Sequence, residues 1–148
     1  MVSYPLIVAQ YAIQGHPRRT EHWSLAVLFN DSDAYEFELV GNYDTFVYVP
    51  KPIREFSQSV NLRGGYYIGH IAANDVDWLK TRLADVPVIR GNPDFDCQTW
   101  VMEGLRLIKD DGAITCDIGE AHIRRELQHE KELWEGADDT LEARIFKT

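Results

Sequence analysis

The order of elements predicts an α+β fold, with an antiparallel β-sheet of about five strands packed against two to three helices. Three observations carry this reading. β-branched and aromatic segments crowd residues 6–72, apolar residues at helical spacing occupy residues 75–135, and turn chemistry separates consecutive strands. Strands first and helices after is the order of a segregated sheet, not of a βαβ repeat. At 148 residues the chain is read as a single domain spanning 1–148, with its tail from Gly136 onward docked on the body through Leu141, Ile145 and Phe146.

Residues 6–13 are β-rich and are broken by Gly15 and Pro17. Residues 22–29 form the second strand, and the Asn30-Asp31-Ser32-Asp33 run supplies side chains that bond their own backbone in a turn. Residues 35–40 alternate polar and apolar and complete a hairpin. A fourth strand covers 45–49 and is expected to stop at Pro50 and Pro52; a fifth covers 65–72. Asn74 or Asp75 caps a helix carrying Trp78, Leu79 and Leu83, closed by Pro87. Asp96 caps the next helix, where Trp100, Val101, Leu105 and Ile108 share one face and Gly112 marks the stop. The last helix runs from about Gly119 to Trp134, with Ile123, Leu127 and Trp134 as a narrow apolar stripe.

Fifteen basic against 24 acidic residues leave a formal charge of −9, and the only dense basic spot is Arg18-Arg19. Such a surface repels phosphate backbones, so nucleic acid is excluded as a partner. No apolar run approaches the roughly 18–20 residues needed to span a bilayer. No basic segment precedes the apolar residues 6–9, so the start reads as a strand and a cytoplasmic location is expected. In a reducing compartment the two cysteines, Cys97 and Cys116, are expected to be free thiols.

Cys97 falls on the first helical position after Asp96, where unpaired backbone N–H groups and the positive end of the helix dipole favour a thiolate. The competing reading is a small buried hydrophobe, which is also the only reading of Cys116. Of the five histidines, His22 opens a strand ahead of Trp23 and an apolar run, where its ring can be held rigidly. His70, inside the fifth strand, is the runner-up, and His16 lies in a Gly-His-Pro turn. His122, Glu126 and His129 share one helical face, but three such residues without a convergent fourth are read as a solvated face.

The block Asp94-Phe95-Asp96-Cys97-Gln98-Thr99-Trp100-Val101 resembles the cysteine-helix start of circularly permuted papain-like thiol enzymes. The PPPDE isopeptidase-like and lecithin:retinol acyltransferase-like families belong to that group. His22-Trp23-Ser24-Leu25 resembles their histidine strand, and the order His then Cys, about 75 residues apart, agrees. The chain is also similar to small fungal proteins that share HWSL and DCQTWV-type blocks. The resemblance implies a thiol hydrolase or acyl-transfer enzyme acting on a peptide, isopeptide or acyl small-molecule substrate, with no cofactor. Cys97 would be the nucleophile and His22 the base. The second histidine of the acyltransferase-like group is absent from residues 35–40.

A hairpin turning near Ser32 places His22 across from Asn42, which would then orient the ring; Glu38 is the alternative, and a charge on the sheet's solvent face is its commoner role. The N–H groups of Cys97 and Gln98, with the Gln98 side chain, are candidate oxyanion donors. Trp23 and Trp100 are candidates to line a substrate groove, although their spacing is that of core residues. Two other classes remain open: a catalytically silent binding protein of the same fold, and acid–base chemistry by the carboxylates Glu36 and Glu38 or Asp138, Asp139 and Glu142.

Overall fold

A computed structural model describes residues 2–12, 21–30, 32–42, 44–56, 62–114 and 119–136, with side chains to residue 132 in the last segment. His16, Cys116, the carboxylates at 138, 139 and 142, and the tail beyond Gly136 lie outside the described residues. Five strands come first: β1 (Ser3–Ala12), β2 (Glu21–Leu28), β3 (Ala34–Val40), β4 (Val47–Ile53) and β5 (Leu62–Ala72). A 3-10 turn then leads into α1 (Val76–Leu83), followed by α2 (Cys97–Asp110) and α3 (Glu120–Gly136). The strands form one antiparallel sheet in the order β4-β3-β2-β1-β5. The α+β class is therefore that of the sequence, with the segregated order intact.

One face of the sheet packs on the helices. Leu6, Val8, Trp23, Leu25, Phe37 and Leu39 meet Leu79, Leu83, Trp100, Val101, Leu105, Ile123 and Leu127 in one cluster. The other face is buried as well, in a cluster of Ile7, Ala9, Ala26, Leu28, Ala34, Phe56 and Leu62. Burial on both faces explains why β1 and β2 read as continuous apolar runs rather than as alternating strands. It also corrects the solvent-facing reading of Glu36 and Glu38, both of which are buried.

Pro50 and Pro52 do not end β4. They pair in register with Phe37 and Tyr35, and β4 is an edge strand. Residues two apart turn their nitrogens the same way, so both missing N–H groups can face the unpaired side without breaking the ladder. Trp78 departs from its expected place too: Leu79 and Leu83 are buried, but Trp78 is 38% exposed. The α1 N-cap, Asp75, makes no side-chain cap bond.

α2 begins and ends as local chemistry dictates. The Asp96 carboxylate accepts from the N–H groups of Gln98 and Thr99, and the Thr99 hydroxyl accepts from the Asp96 N–H, a reciprocal capping box. At the other end Gly112, at φ +82°, donates to Lys109, while Ala113 donates to Ile108. That pair of bonds is a Schellman stop.

β5 starts three residues earlier than the sequence suggests and contains an irregularity. Ala9 pairs with Gly65 but Tyr11 pairs with Leu62, so β5 carries an extra residue. Gly64 lies there at φ +105°, and a Cβ would meet the Glu130 Cβ of α3 at 2.9 Å. Only glycine satisfies both demands. Gly64→Ala is expected to lower stability by about 1–3 kcal/mol, read as a lower urea midpoint at unchanged slope. Gly91→Ala, at φ +76° with open space around it, is expected to lose less.

Candidate functional site

The site forms where β2 and β3 part company. Their register pairs run only from Leu25↔Phe37 to Leu28↔Ala34. Beyond Leu25, residues 22–24 pair with β1 alone, and residues 38–40 of β3 pair with β4 alone. Into this opening α2 brings its N-terminus. The Gln98 side chain fastens it there: Nε2 donates to the Glu21 carbonyl at 3.0 Å, and Oε1 accepts from the Arg124 guanidinium of α3 at 2.5 Å. Arg124 also stacks 4.8 Å from the Trp23 ring centroid. Strand, helix start and last helix are thus tied at one point.

His22 occupies the opening. Its Nε2 lies 2.9 Å from Glu38 Oε2, and the Cys97 side chain stands near enough to the ring to raise its affinity for a proton. Glu38 is shared, because Lys51 Nζ lies 2.7 Å from its Oε1. Cys97 is a free thiol and is 7% exposed. Burial works against a charged imidazole, but the interactions with Cys97 and Glu38 outweigh it and hold His22 up to about 10. For Glu38, burial would raise the carboxyl, yet His22 and Lys51 together hold it below its ordinary value.

On the face of the sheet away from α2, a cavity of about 380 Å³ opens beside the imidazole, lined by Tyr11, Ala12, His22, Glu36, Glu38, Lys51 and Ile53. Glu36 Oε2 accepts from the Tyr11 hydroxyl at 2.5 Å and from Ser24 Oγ at 2.8 Å. Burial first, then the neighbouring Glu38 charge, push the Glu36 carboxyl up. Burial first, and then the adjoining Glu36 carboxyl, push the Tyr11 phenol up. The ring of His22 therefore stands between a sulfur on the helix side and a cavity on the other.

The structure brings together Cys97, His22 and the alternative orienting residue Glu38, but not the remaining sequence candidates. Asn42 is a turn residue: its Oδ1 accepts from the Asp44 N–H at 3.0 Å. The β2–β3 register centres one residue earlier than Ser32, which moves the position opposite His22 by two residues, to Val40. Glu38, from the neighbouring position, is the group that holds the ring. Gln98 is no oxyanion donor, since its backbone N–H is taken by Asp96 and its side chain by Glu21 and Arg124. The Cys97 N–H is the first-turn amide that the cap leaves unused.

Trp23 and Trp100 are core residues at 1% and 0% exposure, not walls of a groove. Trp23 Nε1 donates to Gln10 Oε1, and Trp100 packs against the Tyr48 ring. His70 lies on the far edge strand with Tyr67, two strands from β2, and His122 pairs with the Tyr66 hydroxyl. Among the described residues no group of three His, Cys, Asp or Glu side chains is placed to hold a metal ion. No helix among them is long and apolar enough to cross a membrane.

Sequence reading missed Tyr11, Ser24, Lys51 and Arg124. For the first two a signal existed: Tyr11 and Ser24 share the parity of His22 and Glu36 once the β1–β2 pairing is known. Lys51 and Arg124 carry no local signal.

The His22 environment makes stability depend on pH. The folded value is about 10 against the ordinary 6.5, so the folded chain holds the proton more tightly. This contribution is fully present below about pH 6.5 and is lost as pH rises through about 10. The difference in Tm between the wild type and His22→Gln, measured across that window, is expected to shrink steadily as pH increases. A constant difference would contradict the assignment. No family model, no curated protein and no solved structure matches this chain, so the chemistry of the site rests on its own residues.

Proposed function

We propose that the protein is a thiol hydrolase or acyl-transfer enzyme in which Cys97 attacks an amide, isopeptide or ester carbonyl. One observation carries the reading: His22 bonds a buried carboxylate and lies beside the Cys97 side chain, which raises its affinity for a proton. That is the arrangement of a nucleophile, a base and an orienting group. The resemblance to permuted papain-like thiol enzymes, in the cysteine-helix and histidine-strand blocks, supports it further.

The roles follow from position. His22, held as the imidazolium, keeps the proton of Cys97, and the thiolate forms a bond to the carbonyl carbon. The Cys97 N–H, unused by the helix cap, faces the developing oxyanion. As the carbon–nitrogen or carbon–oxygen bond breaks, the imidazolium returns its proton to the leaving group. Water or an amine then gives a proton to His22, attacks the thioester and frees the sulfur. Glu38 keeps the ring oriented and stabilises its charge throughout. A second reading, a catalytically silent binding protein, is favoured by a different observation: Cys97 is 7% exposed and does not line the cavity beside His22.

Alkylation separates the two. In a Cys116→Ser background, iodoacetamide should label Cys97 at about pH 6, and His22→Asn should slow that labelling by about 10²-fold or more. Glu38→Gln should slow it less, because the ring remains beside the sulfur. Labelling that appears only above about pH 8, or that ignores His22→Asn, would establish the silent binding protein instead.

A further inference from the structure

The cavity beside His22 contains a buried acid that the thiol chemistry does not use. Glu36 is 3% exposed, and it reaches the cavity with one oxygen already committed. Tyr11 and Ser24 both donate to Oε2, and among the described residues nothing donates to Oε1. The partners of Glu36 are neutral hydroxyls. The two cations of the cavity, His22 and Lys51, are both bonded to Glu38 instead. Burial, and the ionised carboxylate two residues away, favour its protonated form against the two hydroxyl donors.

The placement of that proton follows. The oxygen that accepts two hydrogen bonds behaves as the carbonyl oxygen of an acid, so the hydroxyl belongs on Oε1, the oxygen to which no described residue donates. Lys51 adds to this, since an ammonium has three donors and Glu38 takes one. With Glu36 neutral, the charges facing the cavity are His22 and Lys51 against Glu38, an excess of one positive. Donors and positive charge together suit an acceptor-rich anion.

We infer that the cavity is a carboxylate-binding subsite, in which the Glu36 hydroxyl and the Lys51 ammonium grip the carboxylate of a small ligand lying beside His22. The volume, about 380 Å³, is in the range of small-molecule sites. The inference goes beyond the thiol reading and does not depend on it. Binding in the cavity needs no reaction at Cys97.

Binding then takes up a proton wherever free Glu36 is ionised, because the bound carboxylate shares the Glu36 proton. The other titratable groups facing Glu36 do not imitate this between about pH 5.5 and 8. Tyr11 and Lys51 are raised above that range, His22 is held up to about 10, and Glu38 is held low. The probes are N-acetylalanine, its neutral amide, and the cation alaninamide, titrated calorimetrically into the full chain in buffers of different ionisation enthalpy.

N-acetylalanine is expected to bind more tightly at the lower pH than at the higher, with net proton uptake, and at least tenfold more tightly than its amide. Glu36→Gln, a permanent donor at the same place, is expected to keep carboxylate binding and to abolish both the proton uptake and the pH dependence. Should Glu36→Gln fail to fold, Lys51→Met on the half-exposed edge strand is the substitute, with a loss of about tenfold expected. Preference for alaninamide, carboxylate binding without proton uptake, unchanged affinity in Lys51→Met, or no binding by any probe would each overturn the subsite. The titration leaves Cys97 unmodified, so its failure and a failure of alkylation are separate results.

Discussion

The fastening of the α2 N-terminus to the first residues of β2 is the constraint on which the site depends. Asp96 and Thr99 define where the helix begins, and Gln98 then spends its whole side chain on the Glu21 carbonyl and Arg124. Because Gln98 is buried, losing either bond would strand a polar group away from water, at a cost of about 1–3 kcal/mol. The neighbouring residue in the helix is Cys97, and the neighbour of Glu21 in the strand is His22. Tying residues 98 and 21 together therefore delivers 97 and 22 to each other. The apolar face of α2, with Trp100, Val101, Leu105 and Ile108 in the core, keeps the helix seated while its first turn is held.

A second consequence comes from the short β2–β3 ladder. A sheet paired along its full length would place a wall between the helix side and the opposite face. Here the two middle strands separate after Leu25, and the imidazole fills the gap. One residue thus touches chemistry on both sides: a sulfur at a helix start and a cavity lined by ionisable groups. Two carboxyls of the same strand, Glu36 and Glu38, are driven apart by their partners. Glu38 has both cations and stays ionised; Glu36 is pushed towards its neutral form by burial and by the Glu38 charge, against the two hydroxyls that donate to it. Neighbours with opposed tendencies are how a protein obtains an acid and a base from one residue type.

The sequence reading succeeded where structure is made by near neighbours. The Asp96 cap, Cys97 at the first helical position and the Gly112 stop all follow from hydrogen bonds spanning five residues or fewer. It erred where a long-range fact decides. Asn42 was the natural partner of His22 only if the hairpin centred at Ser32; a shift of one residue in the turn exchanges it for Val40 and brings Glu38 into reach. Pro50 and Pro52 break strands in general, but not on an edge whose outer N–H groups have no partner to lose. Glu36 and Glu38 alternate with apolar residues, which normally means solvent, and only the second apolar cluster shows that this face is covered.

From the chain alone came the α+β class, the element order and the choice of Cys97 and His22, since propensity, periodicity and capping are properties of contiguous residues. What the tertiary structure decided was the company those two side chains keep. Glu38 reaches His22 across a gap between strands, Lys51 comes from the edge strand, and Arg124 arrives from the last helix. Gln98, whose sequence position suggested a catalytic amide, became a structural tie instead. These outcomes depend on register and on packing between elements up to 77 residues apart, as in the Gln98–Glu21 bond. No local pattern encodes such distances; they are selected by which arrangement of the whole chain leaves the fewest buried polar groups without a partner.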